Sequence, residues 1–128
     1  VIVVDTSAIV AIVTSEPGFE DVARRLFADE KRVVSPLSVV EATMVLSRVS
    51  PNPNAVVAEH LKKAGISLCP VDLSQTEWAQ AAFLAYGKGR HPAKLNLGDC
   101  FSYAVAKALD AKLLFVGEDF SRTDIKQA

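Results

Sequence analysis

Four consecutive β-branched residues, Val1-Ile2-Val3-Val4, run without a polar break into Asp5. A strand with one face in water alternates apolar and polar residues. An unbroken apolar run is the pattern of a strand buried on both faces, inside a parallel sheet. That requirement limits the fold, because parallel strands need crossover connections and helices supply them. The next residues, "DTSA", read as a helix start. Asp5 interrupts the apolar opening after four residues, so neither a signal peptide nor a membrane helix is expected there.

The alternation repeats along the chain. "RVVS", "ISLCPVD" and "KLLFVG" read as further strands. Helices are expected over residues 7–14 and 19–29, from Pro36 to the "PNPN" break, and over 54–64, 74–86 and 98–110. Apolar spacing puts Phe19, Val22, Leu26 and Phe27 on one face, and Leu37, Val40, Met44 and Val45 inward on the third helix. Trp78, Phe83, Phe101 and Tyr103 are expected to pack in the core, and His60 to face solvent. A last short strand is expected near Ile125.

Strands alternating with helices imply an α/β fold with helices on both faces of a parallel sheet. With 128 residues, half of them hydrophobic, and no repeat or linker, one domain spanning 1–128 is expected. Cys69 and Cys100 lack metal-type spacing. They read as reduced thiols of a cytoplasmic protein, although sequence leaves a disulfide open. A formal charge of -1 gives no global attraction to nucleic acid, so an anionic substrate would need a local basic patch.

In a doubly wound sheet the functional crevice lies beyond the carboxyl ends of the strands. Four acids map to that edge. Asp5 follows the first strand, Glu41 lies early in the helix after the second, Asp99 opens the helix leading to the fourth, and Asp119 follows the fourth. Each has a local explanation: Asp5 as a cap, Glu41 in a "SVVE" capping box with Ser38, Asp99 three residues after Asn96, and Asp119 at a turn. Capping explains each acid singly but not their shared edge. Clustered carboxylates repel, and a hard divalent cation removes that cost. Mg²⁺ or Mn²⁺ held there would suit phosphodiester hydrolysis, which needs no His or Cys.

The segments "VIVVDTSAIVAI", "SVVEA", "LNLGDCFSYAVAKAL" and "LLFVGEDFSRTDI" together resemble the PIN-domain family, and within it the VapC-type toxins of bacterial toxin–antitoxin modules. The resemblance implies a three-layer α/β/α fold around a parallel sheet. It also implies Mg²⁺- or Mn²⁺-dependent endoribonuclease activity, inhibition by a VapB-like antitoxin, and homodimers. Asp5, Glu41 and Asp99 match the first three family acids. The fourth falls in "GEDF" and is assigned to Asp119, with Glu118 as a neighbour able to substitute. Asp124 is a weaker candidate that orients a water or holds the tail. Thr6 and Ser7 are candidates to hydrogen-bond Asp5 or a metal-bound water, or simply to cap the helix.

The loop "GKGRHPAK" concentrates Lys88, Arg90 and Lys94 beside His91, just upstream of Asp99, and Arg122 lies just beyond Asp119. These cations are candidates to hold RNA phosphates; a solvated loop is the alternative. The antitoxin is expected in apolar grooves between helices, and the helices from 37 to 64 are candidates for a dimer surface. Two rivals remain: a receiver-like signalling module and a catalytically inactive binding domain. The first needs an acid pair after strand one and a late Lys, both missing, and the second is expected to have lost an acid.

Overall fold

A computed structural model describes residues 1–128. Four strands, β1 (Ile2–Val4), β2 (Arg32–Val34), β3 (Ile66–Leu68) and β4 (Lys112–Leu114), form one sheet in the order β3-β2-β1-β4. Every pairing is parallel, and Val3 stands opposite Val33 on one side and Leu113 on the other. The unbroken apolar run is therefore the interior strand that its pattern demanded. The Asp5 N–H still donates to the Leu114 carbonyl at 3.0 Å, so the chain leaves the sheet at the acid itself.

Six helices, α1 (Thr6–Val13), α2 (Phe19–Leu26), α3 (Pro36–Leu46), α4 (Pro53–Ala64), α5 (Leu73–Tyr86) and α6 (Leu97–Ala108), cover the two faces. Because side chains alternate along a strand, β1 feeds two cores. Val3, with Val33 and Leu113, packs under α5 and α6 among Ala79, Ala82 and Ala104. Ile2 and Val4, with Val34 and Leu114, pack under α1 to α4 among Ile9, Leu26, Leu46 and Val57. Each large side chain so enclosed contributes about 1.5–3 kcal/mol. The result is a three-layer α/β/α arrangement, as the resemblance implied.

Local chemistry sets the helix ends. The Asp5 carboxylate caps α1, the Ser35 hydroxyl caps α3 with Pro36 in its first turn, and Asn96 caps α6. Gly65 ends α4 at φ 62°, a left-handed conformation that glycine adopts without strain.

Several side chains depart from expectation. On α3 the inward stripe is Ser38, Ala42 and Leu46, while Val40 and Met44 are 60 % and 66 % exposed. That helix is apolar nearly all round, so its periodicity fits either face. The small residues won because they let α3 pack closely against α1 and α6. For the same reason Ala79 and Ala82 take the core positions of α5 and leave Trp78 and Phe83 partly exposed. Phe27 lies outside, with the Arg32 guanidinium 4.7 Å above its ring. His60 is half-buried rather than solvent-facing; its Nε2 has no partner, and burial lowers its pKa. The tail forms a 3₁₀ turn over Phe120–Arg122 and a single parallel bridge from Gln127 to Leu113 instead of a strand at Ile125. Both cysteines are free thiols, Cys100 buried and Cys69 half-buried.

Candidate active site

At the carboxyl edge of the sheet a cleft of about 370 Å³ is lined by Asp5, Ser7, Glu16, Glu41, Asn96 and Asp99, and no Lys, Arg or His enters its wall. α1, α3 and α6 each begin at this edge, which is why their acids meet there.

Asp5 is only 3 % exposed and is held by three donors. Its Oδ2 accepts from Ser7 N at 3.0 Å and Ser7 Oγ at 2.7 Å, and its Oδ1 accepts from Ser102 Oγ at 2.7 Å. Ser7 Oγ in turn accepts from Val116 N at 3.0 Å, which ties the end of β4 to the acid. Of the two hydroxyls expected beside Asp5, Ser7 takes that role. Thr6 does not: its hydroxyl donates to the Ser38 carbonyl at 3.1 Å.

Glu41 is not part of a capping box. Ser35, not Ser38, caps α3, and the Glu41 carboxylate has no ion-pair partner. It lies against Gly98 at the start of α6, so close that a Cβ there would meet Glu41 Oε1 at 2.8 Å. Asp99 does form the capping box: its N–H donates to Asn96 Oδ1 at 2.9 Å, and its Oδ2 accepts from Asn96 N at 3.1 Å. Burial, and then the charges of Asp5, Glu41 and Asp119, raise the Asp99 carboxyl to about 7, against the opposing pull of the Asn96 bond. Capping and clustering are thus both true of Asp99.

Asp119 opens the 3₁₀ turn with no cap bond from its side chain, and Glu118 beside it is also exposed. Asp124 is turned away from the cleft. It accepts from Tyr103 Oη and from Lys107 Nζ, both at 2.7 Å, and so holds the tail to the far end of α6. Glu16 was missed by sequence reasoning, since "SEPG" reads only as a helix stop. Ser102 was missed because a serine inside an apolar helix carries no signal by itself.

The basic loop forms a separate shallow basin of about 530 Å³ lined by Lys88, Arg90, His91 and Lys94, with no acid in its wall. Backbone bonds from Lys88 N to Leu95 O and from Leu95 N to Tyr86 O, both 3.0 Å, pin its neck one residue before Asn96. His91 Nδ1 accepts from Ala93 N at 3.0 Å. Lys88, Arg90, Lys94 and Arg122 have no carboxylate partner. A third feature is apolar. Leu37, Val40, Met44 and Leu97 border a groove of about 390 Å³ that runs past Glu41 and Gly98.

The donor set suits a hard cation. It consists of carboxylate oxygens, and their mutual repulsion at Asp99 is the cost that a divalent ion removes. No three acids draw together into a ready-made cage. The fit is that of an ion such as Mg²⁺, which takes one or two carboxylates directly and keeps waters between itself and the rest.

The chain is similar to known proteins in sequence and in fold. The PIN domain family model matches residues 2–126. The chain is 43% identical over 124 residues to ribonuclease VapC30 of Mycobacterium tuberculosis, covering 96% of this chain and 95% of that protein. It is 44% identical to ribonuclease VapC of Mycolicibacterium smegmatis, covering 96% of each. The crystal structure of Mycobacterium tuberculosis VapC20, a Sarcin-Ricin loop cleaving toxin, superposes with a TM-score of 0.78 at 20% identity, covering 100% of this chain and 98% of that one.

Proposed function

The chain belongs to the PIN-domain family, among its VapC-type toxins, and from that premise we propose that it is a Mg²⁺- or Mn²⁺-dependent endoribonuclease held inactive by a VapB-like antitoxin. One observation carries the reading: the cleft wall holds Asp5, Glu16, Glu41 and Asp99 and no cation. Such a wall repels RNA unless a metal ion sits in it.

Asp5, Glu41, Asp99 and Asp119 would hold the ion, one or two of them directly and the others through its waters. When bound, it supplies a polarising charge at the scissile phosphate and lowers the pKa of water. The chain's own residues do the rest. Ser7 and Ser102 fix the orientation of the Asp5 carboxylate. Asp99, with its carboxyl raised to about 7, holds or releases a proton near neutral pH, and in its ionised form it would serve as a ligand. Glu118 stands ready beside Asp119 as a longer-armed substitute. Lys88, Arg90 and Lys94 grip RNA phosphates beside the metal site, and Arg122, just beyond Asp119, grips another.

The antitoxin covers the apolar groove along Leu37, Val40, Met44 and Leu97 and brings a basic side chain to the acids, relieving the same repulsion as the metal. The outward faces of α3 and α4 serve a homodimer. We place the protein in the cytoplasm, acting as one domain. No helix is long and apolar enough to cross a membrane.

The test is metal-dependent cleavage of RNA by the purified chain freed of antitoxin. Wild type cleaves with Mg²⁺ or Mn²⁺ and stops with chelator, while Asp99→Asn neither cleaves nor gains thermal stability from metal. Equal cleavage by Asp99→Asn would overturn the reading, and a chain inert under all metals would mark an inactive binding domain.

A further inference from the structure

Three hydroxyl-bearing residues of helices in this protein behave in the usual way. Thr14, Thr43 and Thr76 each donate to the carbonyl one turn back, at 2.7, 2.9 and 2.8 Å. Ser38 and Ser102 do not. Both are completely buried, and both turn sideways out of their helices. Ser38 Oγ and Ser102 Oγ meet at 3.0 Å across the α3–α6 contact, and Ser102 Oγ donates on to Asp5 Oδ1 at 2.7 Å. The carboxylate only accepts, which fixes the direction of the chain: Ser38 donates to Ser102, and Ser102 donates to Asp5. The Thr6 hydroxyl closes the ring by donating to the Ser38 carbonyl.

The placement along the sequence matters as much as the bonds. Ser38 lies three residues before Glu41 and Ser102 three residues after Asp99, so each serine is about one helical turn from an acid. The ring therefore joins α1, α3 and α6 at one level just beneath the cleft floor. Burying two hydroxyls in a contact that alanines would fill costs free energy unless each is bonded, and bonded in series they polarise one another.

We infer that Ser102 and Ser38 are positioning residues of the metal site, a buried hydroxyl relay that aims Asp5 and sets its spacing from Glu41 and Asp99. This rests on the metal-dependent reading above. Neither serine touches substrate or ion. Ser102 acts through Asp5, and Ser38 acts through Ser102.

The experiment is calorimetric titration of Mn²⁺ into the full chain without antitoxin, with thermal melting and RNA cleavage measured on the same samples. Ser102→Ala is expected to weaken Mn²⁺ binding by about 10-fold or more, within the range found for outer-shell partners of metal ligands. The Mn²⁺ concentration for half-maximal cleavage rises in step, and KM for RNA stays unchanged. Ser38→Ala weakens binding less, about 3-fold, and adds nothing in a Ser102→Ala background, because its effect passes through Ser102. Ser102→Thr, which keeps the hydroxyl, retains binding. If Ser102→Ala fails to fold, Ser38→Ala and Ser102→Thr decide the matter by the same measures. Wild-type binding with Ser102→Ala within twofold of it, or an additive Ser38→Ala loss, overturns the relay alone. A wild type that takes no Mn²⁺ overturns the metal reading and the relay with it.

Discussion

The Glu41 carboxylate rests on the backbone of Gly98, with only the space of a missing side chain between them: a Cβ on residue 98 would stand 2.8 Å from Oε1. Gly98 is in the first turn of α6, without a positive φ, so the glycine is needed for room and not for backbone conformation. Gly98→Ala should therefore push Glu41 aside while improving the helix. Cleavage should fall at least about tenfold. The melting temperature should hold or rise by about 1–3 °C, since alanine is worth roughly 0.5–1 kcal/mol over glycine within a helix. Paired melting curves and cleavage rates check both halves. A variant as active as wild type would show that Glu41 needs no fixed place.

Asp99 predicts a pH dependence of stability. Burial, with the charges of Asp5, Glu41 and Asp119, lifts its carboxyl from the usual value to about 7. Between those values the folded chain keeps a proton that the unfolded chain has released. This contribution is full below the ordinary carboxylate pKa and is lost as pH rises through about 7. Metal-free protein should melt lower at about pH 8.5 than at about pH 5, and Asp99→Asn should remove most of that difference. Divalent metal at the higher pH should restore the wild type and not the variant.

The acids near the carboxyl terminus should separate by function. Asp119→Asn should lower cleavage by about tenfold or more, while Glu118→Gln stays near wild type, if the acid before Phe120 is the one that counts. Asp124→Asn should leave cleavage intact and cost at most about 1 kcal/mol, because its bonds to Tyr103 and Lys107 anchor the tail at a half-exposed site. Cleavage rates and denaturant melts on the three variants distinguish these outcomes.

The loop cations should act on binding and not on chemistry. Replacing Lys88, Arg90 and Lys94 together by alanine should raise KM for RNA by about tenfold with kcat nearly unchanged. The salt dependence of binding should become shallower by about 0.7 for each phosphate no longer neutralised. A kcat loss with constant KM would place the loop in the reaction itself.

The outward face of α3 should report on partners. Met44→Glu puts a charge into the apolar groove at a side chain that takes no part in the bonds holding Asp5 and Asp99. Affinity for the co-purifying antitoxin should fall by about tenfold or more, with cleavage by the free toxin unchanged. Sedimentation of the free variant shows separately whether the same face holds a dimer.

How much of this was legible in the sequence depends on what each residue had to signal. The run before Asp5 could mean only an interior parallel strand, and β1 is one. Asp5, Glu41 and Asp99 were findable because strand ends and helix starts share an edge by topology, whatever the side chains do. Helix faces were less legible. α3 offers Leu37, Val40 and Met44 or Ser38, Ala42 and Leu46 at equally helical spacing, and only the neighbours α1 and α6 select the smaller set. Glu16 was hidden because a turn sequence says where a chain stops, not where it points. Ser102 was hidden because its meaning lies in Asp5, far away along the chain.

The pairing of β1 with β4 has a consequence in time. These strands lie at opposite ends of the chain, and Leu114 is the residue whose carbonyl receives Asp5. A nascent chain grown only through α5 has Asp5 and Glu41 but neither Asp99 nor the strand that seats Asp5. Contacts this distant form late in folding, after the loop-closure cost has been met. The acids gather only once α6 and β4 have been made and β4 has paired with β1, so a chain that stops at α5 holds Asp5 and Glu41 without the strand that seats Asp5.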